Sequence, residues 1–215
     1  MCHMTCARCV GGTLIPLAMS ATLTNILLFF PGANKMDNNI NLSEEVWYFG
    51  GILGSGVLMI LPAVSLLNSK NIDCSAIYEQ EDCGKKLKML NTMMFLGTGI
   101  VGALYAFAIS VVAIIRGPKC LVGNNTWEYP FHDGNYLKDI ELWNNCKEPI
   151  HIVPWNLSFF SIQLIISGIQ ISLCGTYVAK ICCGVSCKKC RCPKICRGPI
   201  TVKPSYILAW IITIT

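Results

Sequence analysis

The sequence predicts an all-α membrane protein, a bundle of four transmembrane helices with a small disulfide-tied extracellular cap. Three observations point there. Only 13% of the 215 residues are charged and 53% are hydrophobic, against about 25% charged in a soluble domain. Mean hydropathy is +0.51. Four apolar stretches, residues 10–30, 47–67, 89–115 and 155–179, contain no Lys, Arg, Asp, Glu or His.

Each stretch reaches the roughly 20 residues needed to cross the hydrocarbon core. Lipid offers no hydrogen-bond partner to the backbone, so each should be a helix. The first, at 21 residues, exceeds a cleavable signal core of about 7–15 and reads as an uncleaved signal anchor. The remaining segments are a tail (1–9), an outer loop (31–46), an inner loop (68–88), a large outer loop (116–154) and a C-terminal tail (180–215). With both termini cytosolic, twelve Lys and Arg lie inside and five outside, the sense of the positive-inside rule. The basic inner surface favours membrane lipid, anionic lipid above all. Nucleic acid is not an expected partner, because these bases flank membrane spans.

Small residues let helix backbones approach in lipid. The candidates are Gly50 and Gly54 in FGGILGSG, Gly99 with Ala103, and Gly168 with Ser172. Asn25, Gln163 and Gln170 are amides within the spans, the glutamines seven residues apart on one helix face. Interhelical hydrogen bonding is their expected role, with a substrate path as the rival reading. Pro16 and Pro62 should kink their helices or sit at loosened turns. GTGIVG at residues 97–102 matches a nucleotide-binding glycine pattern. It lacks the preceding strand and the acidic residue about 20 positions on, so helix packing is the better reading.

The large outer loop holds Cys120 and Cys146 alone. In the oxidising secretory lumen these form one intraloop bridge, or else an intermolecular one. N-glycosylation sequons begin at Asn41, Asn124 and Asn156. Asn124 is the favoured acceptor, Asn41 is plausible by position, and Asn156 lies too near the bilayer. The loop aromatics Trp127, Tyr129, Phe131, Tyr136 and Trp143 should form the core of the cap, with an interface anchor as the alternative.

The stretch CKKCRCPKICRG, residues 187–198, poses a separate question. Stable disulfides are not expected in a reducing cytosol. Cys2, Cys6 and Cys9 before the first span, and Cys182, Cys183 and Cys187 after the fourth, are juxtamembrane candidates for palmitoylation. Zinc binding by clustered thiolates and free thiols are the alternatives. No cofactor is expected. The three histidines are scattered, and no H-E-x-x-H or G-x-S-x-G motif occurs, so the chain does not read as an enzyme. Uncharged spans argue against a conducting pore but leave open an auxiliary subunit of a channel or transporter.

MCHMTCARCVGGTLIPLA, NILLFFPG and VWYFGGILGSGVLMILPA resemble the transmembrane-4 L6 family. So do GPKCLVGNNTWEYPFHDGNYL and LWNNCKEPIHIVPWNLSFFSI. The resemblance covers residues 1–185. It implies a tetraspanin-like, four-span plasma-membrane glycoprotein with cytosolic termini. It further implies a role in cell proliferation, adhesion and motility through lateral association with integrins or receptors; a homo-oligomer is also open. Tetraspanins carry Cys-Cys-Gly in the large outer loop, whereas here Cys182-Cys183-Gly184 lies in the tail. Claudins carry a cysteine pair in the first outer loop, which here has none. Related inner loops are often richer in cysteine than this one, with its Cys74 and Cys83. Beyond about residue 190 the tail departs from the family, and its apolar end, residues 206–214, is too short to span.

Overall fold

The computed structural model describes residues 7–30, 43–68, 83–123, 126–131, 135–148 and 151–186. Among them, four helical segments are long and apolar enough to cross a membrane: Ala7–Leu28, Glu44–Asn68, Met89–Arg116 and Ile152–Cys182. The shortest has 22 residues. At about 1.5 Å per residue it covers the roughly 30 Å of a hydrocarbon core. Three spans belong to continuous helices, α1 (Ala7–Leu28), α4 (Cys83–Arg116) and α5 (Ile152–Ser186). The second is composite. A single turn, α2 (Glu44–Trp47), precedes a π-helical segment (Gly50–Val57), which runs into α3 (Leu58–Asn68).

The direction of each span follows from what meets at the ends. Leu28 at the end of α1, Val46 in α2, Ala113 near the end of α4 and Phe160 near the start of α5 share one buried cluster. Val10 and Leu14 of α1, Ala63 and Leu66 of α3, Leu96 of α4 and Tyr177 and Ile181 of α5 meet toward the other end. The spans therefore alternate in direction. α1 packs on the composite span, that span on α4, α4 on α5, and α5 back on α1, closing a four-membered ring. Large apolar side chains line the outside, such as Met19 at 68% exposure and Val101 at 66%. Some buried hydroxyls are satisfied within their own helices: Thr24 donates to the Ser20 carbonyl at 2.7 Å and Ser110 to that of Ala106 at 2.8 Å.

Pro62 lies inside α3, and the departure from regular α geometry comes upstream of it. Phe49, just before the π segment, takes a left-handed backbone conformation with φ 49°. A bulky residue there is strained. The ring of Phe49 is held by Phe29, stacked at 5.6 Å, and by Trp47, edge-on at 6.3 Å. The π geometry then runs through GGILGSGV, where glycines lower the steric cost of leaving the α conformation.

Glycine also sets how closely the second span approaches its neighbours. A Cβ at Gly51 would lie 2.7 Å from the Ala21 carbonyl oxygen and from the Asn25 Cβ. One at Gly102 would lie 2.6 Å from the Gly54 oxygen, and one at Gly54 would collide with the Gly102 oxygen in return. Gly99 faces Pro62, whose Cγ would be 2.7 Å away. Ala103 is fully buried. Gly50 is in ordinary van der Waals contact with Ile109, and Gly168 is open, its nearest neighbour a Phe107 ring carbon at 4.0 Å. Ser172 bonds back to the Gly168 carbonyl at 2.9 Å within its own helix.

Gly97 and Gly102 sit on the same helix, yet nothing lies within 4 Å of a Cβ at Gly97. Gly102→Val should therefore destabilise the detergent-solubilised protein by about 1–3 kcal/mol, and Gly97→Val should not. Thermal unfolding of the two variants checks this, and equal effects would contradict the packing described.

Candidate functional site

Two places concentrate polar and aromatic chemistry: a cap joining α4 to α5, and a buried amide cluster within the bundle. The cap begins where α4 stops. Gly117, with φ 74°, ends the helix in the left-handed conformation that favours glycine. Phe131 and Tyr136 pack directly over it, so that an added Cβ would lie 2.8 Å from the Phe131 ring. The chain then forms a short antiparallel ladder, β1 (Cys120–Leu121) with β2 (Trp127–Glu128). Two 3₁₀ turns follow, Asn135–Leu137 and Ile140–Asn145.

Cys120 and Cys146 are joined by a disulfide, with Cα atoms 5.4 Å apart. The Lys147 amide donates to the Leu121 carbonyl, and the Leu121 amide to that of Glu148, each at 3.0 Å. Cys120, Phe131, Tyr136, Ile152 and Val153 form the buried core of the cap, with Trp143 packed against it. The Tyr136 hydroxyl donates to the Ile114 carbonyl in the last turn of α4 at 2.6 Å. Burial pushes the Tyr136 phenol up to about 12. The Trp143 Nε1–H donates to the Tyr136 carbonyl at 2.8 Å. The aromatics thus divide: Phe131, Tyr136 and Trp143 build the core, while Tyr129 serves a different structure.

That structure centres on Arg116, at the end of α4. Its Nη1 lies 3.0 Å from Glu45 Oε1 and 3.3 Å from Glu44 Oε2, and its guanidinium sits 4.1 Å above the Tyr129 ring. The Tyr129 hydroxyl accepts from the Glu44 amide at 3.1 Å, and Ser43 Oγ accepts from the Lys119 amide at 3.0 Å. One side chain therefore links the start of the second span, the end of the third and the cap. Spacing in the sequence gave no sign of this cluster, because its acids lie more than 70 residues from the arginine.

The second cluster lies between helices. Asn25, Ser55, Gln163 and Gln170 are buried. Gln170 Nε2 donates across the bundle to the Ser55 carbonyl at 2.9 Å, a carbonyl within the π segment. The Asn25 Oδ1, both Gln163 amide atoms, Gln170 Oε1 and Ser55 Oγ have no hydrogen-bond partner among the described residues. Gly51 sits against Asn25 and Gln163, with the Gln163 Oε1 at 2.9 Å from where a Cβ would stand. These groups are neutral oxygens and amides, so the cluster offers hydrogen bonding rather than acid–base chemistry.

The cysteines divide as well. Cys174 is buried, with its Sγ 3.8 Å from the Met59 sulfur, and Cys182 is exposed with a free thiol. Cys9 is disulfide-bonded, which leaves it no thiol to acylate in this state. Cys2, Cys6 and Cys187 lie outside the described residues, as do Asn41 and Asn124; Cys183 lies within α5. Asn156 is 6% exposed within α5, a poor position for a glycan acceptor. No group of three His, Cys, Asp or Glu side chains able to hold a metal occurs among the described residues.

Removing the guanidinium would leave the Glu45 carboxylate, 2% exposed, without its partner, although Arg116 itself is 44% exposed. Arg116→Gln should destabilise the fold by about 1–3 kcal/mol, and adding Glu45→Gln should restore part of that loss. A double-mutant cycle by thermal unfolding checks both, and an Arg116→Gln variant as stable as wild type would refute the role given to this ion pair.

The family model for L6 membrane protein matches residues 1–191. Human Transmembrane 4 L6 family member 4 is 54% identical over 192 residues, covering 89% of this chain and 95% of that protein. Human member 1 is 40% identical over 193 residues, covering 88% and 96%. Human member 5 is 35% identical over 194 residues, covering 89% and 96%. No solved structure matches the chain. Four candidate spans, a disulfide-tied cap and a match across all the described residues lead to one conclusion: this chain belongs to the L6 membrane protein family.

Proposed function

We propose that this protein is a non-enzymatic, multi-pass plasma-membrane glycoprotein that gathers adhesion proteins and receptors laterally, and so modulates proliferation, adhesion and motility. The observation that carries this reading is the distribution of polarity. The spans present apolar side chains outward, bury Asn25, Gln163 and Gln170 inward and contain no Lys, Arg, Asp, Glu or His in their central runs. Such a bundle is suited to side-by-side association through its outer surface. The cap, tied by a disulfide and by Tyr136 to the end of α4, is suited to present a fixed face beside a partner.

Both termini are cytosolic in this reading, which the lysine and arginine distribution supports. The cap is then lumenal during synthesis, where its disulfide forms and where Asn124 and Asn41 receive glycans. Cys182, Cys183 and Cys187 carry acyl chains that hold the protein among similarly modified neighbours, with Cys2 and Cys6 as further acceptors. The exposed free thiol of Cys182, near the end of α5, supports this assignment. The second reading, an auxiliary subunit of a channel or transporter, is favoured by the buried amide cluster, which is more polar than packing alone requires.

Co-purification from cells in mild detergent tests the proposal. Wild type should bring down integrins or receptors, and a Cys182→Ser/Cys183→Ser/Cys187→Ser variant should bring down several-fold less and lose its hydroxylamine-labile acyl mass. A fully deacylated variant with unchanged partners would remove acylation from the account. Recovery of a channel or transporter with no adhesion protein would replace it with the second reading.

A further inference from the structure

In the middle of the bundle, five buried polar atoms make no hydrogen bond among the described residues. They are Asn25 Oδ1, Ser55 Oγ, Gln163 Oε1, Gln163 Nε2 and Gln170 Oε1. Each of these side chains belongs to a residue no more than 2% exposed. Buried polar groups are normally paired, and lipid offers them no partner. The five atoms fall into two neighbouring pairs of residues. Asn25 Cβ and Gln163 Oε1 lie 2.7 and 2.9 Å from one point, where a Cβ would stand at Gly51. Ser55 and Gln170 are held together by the bond from Gln170 Nε2 to the Ser55 carbonyl at 2.9 Å, which uses neither Ser55 Oγ nor Gln170 Oε1. Gly51 and Ser55 both belong to the π-helical segment, a geometry that often accompanies functional sites.

Apolar packing encloses this layer on both sides. Toward the cap, Leu28, Val46 and Phe160 share one buried cluster. Toward the other end, Ala18, Met59 and Cys174 share another. Along each helix the polar residues lie between these positions: Asn25 between Ala18 and Leu28, Ser55 between Val46 and Met59, and both glutamines between Phe160 and Cys174. A ligand of this layer is therefore shut in by the fold.

The atoms also define its chemistry. Four of the five are oxygens, so the partner must supply hydrogens or positive charge. A cation is disfavoured, because the central runs of the spans contain no carboxylate to balance it and an unbalanced charge within the membrane is costly. Water donates two hydrogen bonds and accepts others, so it also serves Gln163 Nε2. Buried waters characteristically bridge groups that are otherwise unpaired.

We propose that this layer is a site for occluded, ordered water. One molecule bridges Asn25 Oδ1 to the Gln163 carboxamide, and a second bridges Ser55 Oγ to Gln170 Oε1. The first joins α1 to α5, and the second adds to the bond between the composite span and α5. The fourth span thereby becomes the common polar anchor of the first and second. Enclosed by both apolar layers, these waters form no path between the two membrane surfaces. The site does not depend on which end of the bundle is cytosolic.

The test uses the full-length chain in phosphatidylcholine liposomes. The chain holds three glutamines, Gln80, Gln163 and Gln170, so nitrogen-15-labelled glutamine gives three side-chain amide signals. Gln80→Asn and Gln163→Met variants assign them. Water-edited solid-state NMR then follows magnetisation from water to each amide, at a mixing time too short to reach the flanking apolar layers. Both Gln163 and Gln170 should receive it. Asn25→Leu should reduce transfer to Gln163 several-fold, and Ser55→Ala should reduce transfer to Gln170 several-fold. Elution volume and an intact Cys120–Cys146 bridge report folding of each variant. Replacing sodium in the buffer by choline should leave the amide signals and the thermal midpoint unchanged. No transfer to either glutamine in the folded wild type would overturn the proposal. So would transfer unmoved in folded Asn25→Leu and Ser55→Ala variants, or a sodium-dependent shift of the signals, which would assign the layer to a cation instead.

Discussion

The structure depends on how closely the second span lies against its neighbours. With no water to expel between helices, lipid gives no hydrophobic reward for helix association, so contact distance and hydrogen bonds must hold the bundle. Gly51 meets α1 and Gly54 meets Gly102 of α4 at distances that no side chain would allow. This span packs on both α1 and α4. Its π-helical course is the backbone consequence of the same glycine-rich stretch. It brings the Ser55 carbonyl to Gln170 of α5, so that the close contact on two sides is accompanied by a hydrogen bond to the third neighbour. Phe49 pins the start of the segment in a conformation that only its aromatic neighbours make tolerable.

The cap inherits its position from the ends of these helices. Gly117 turns the chain off α4, and Tyr136 fastens the cap core to that helix's last turn. Arg116 then ties in the entry to the second span through Glu44, Glu45 and Tyr129. Trp155 adds a link from α5 to the Leu27 carbonyl of α1 at 3.2 Å. All four spans are thus joined at the cap end by directional contacts, and Leu14, Leu66, Leu96 and Tyr177 pack together toward the opposite end.

Much of this was legible in the sequence because membrane solvent imposes simple rules. Uncharged runs of about 20 residues can satisfy their backbone only as helices, and two cysteines in one loop have few options. The amide positions Asn25, Gln163 and Gln170 were also visible, since polar residues in such runs stand out. Less was legible where tertiary geometry decides. Gly51 and Gly102, among the closest contacts, look no different in sequence from Gly97, which touches nothing. The π segment has no periodic signature that separates it from an α-helix of the same composition. The Arg116 cluster joins residues far apart in the chain, and nothing local announces it. Cys9 looked like its juxtamembrane neighbours, yet it is engaged in a disulfide.

The proposed function requires a bundle that is closed to water, with its polar groups sealed inside and its associations made from outside. Ser55, Cys174 and Gln170 are each fully buried, and the free Cys182 is exposed. The most direct measurement is therefore the reactivity of Cys174, and of a Ser55→Cys variant, toward a small aqueous thiol reagent in hydroxylamine-treated protein in nanodiscs. Cys182 serves as the reactive control. The account predicts modification at Cys182 and none at either buried position until the protein is unfolded. Modification of the buried positions in the folded state would reveal a watered path through the bundle and contradict the account of a sealed lateral organiser.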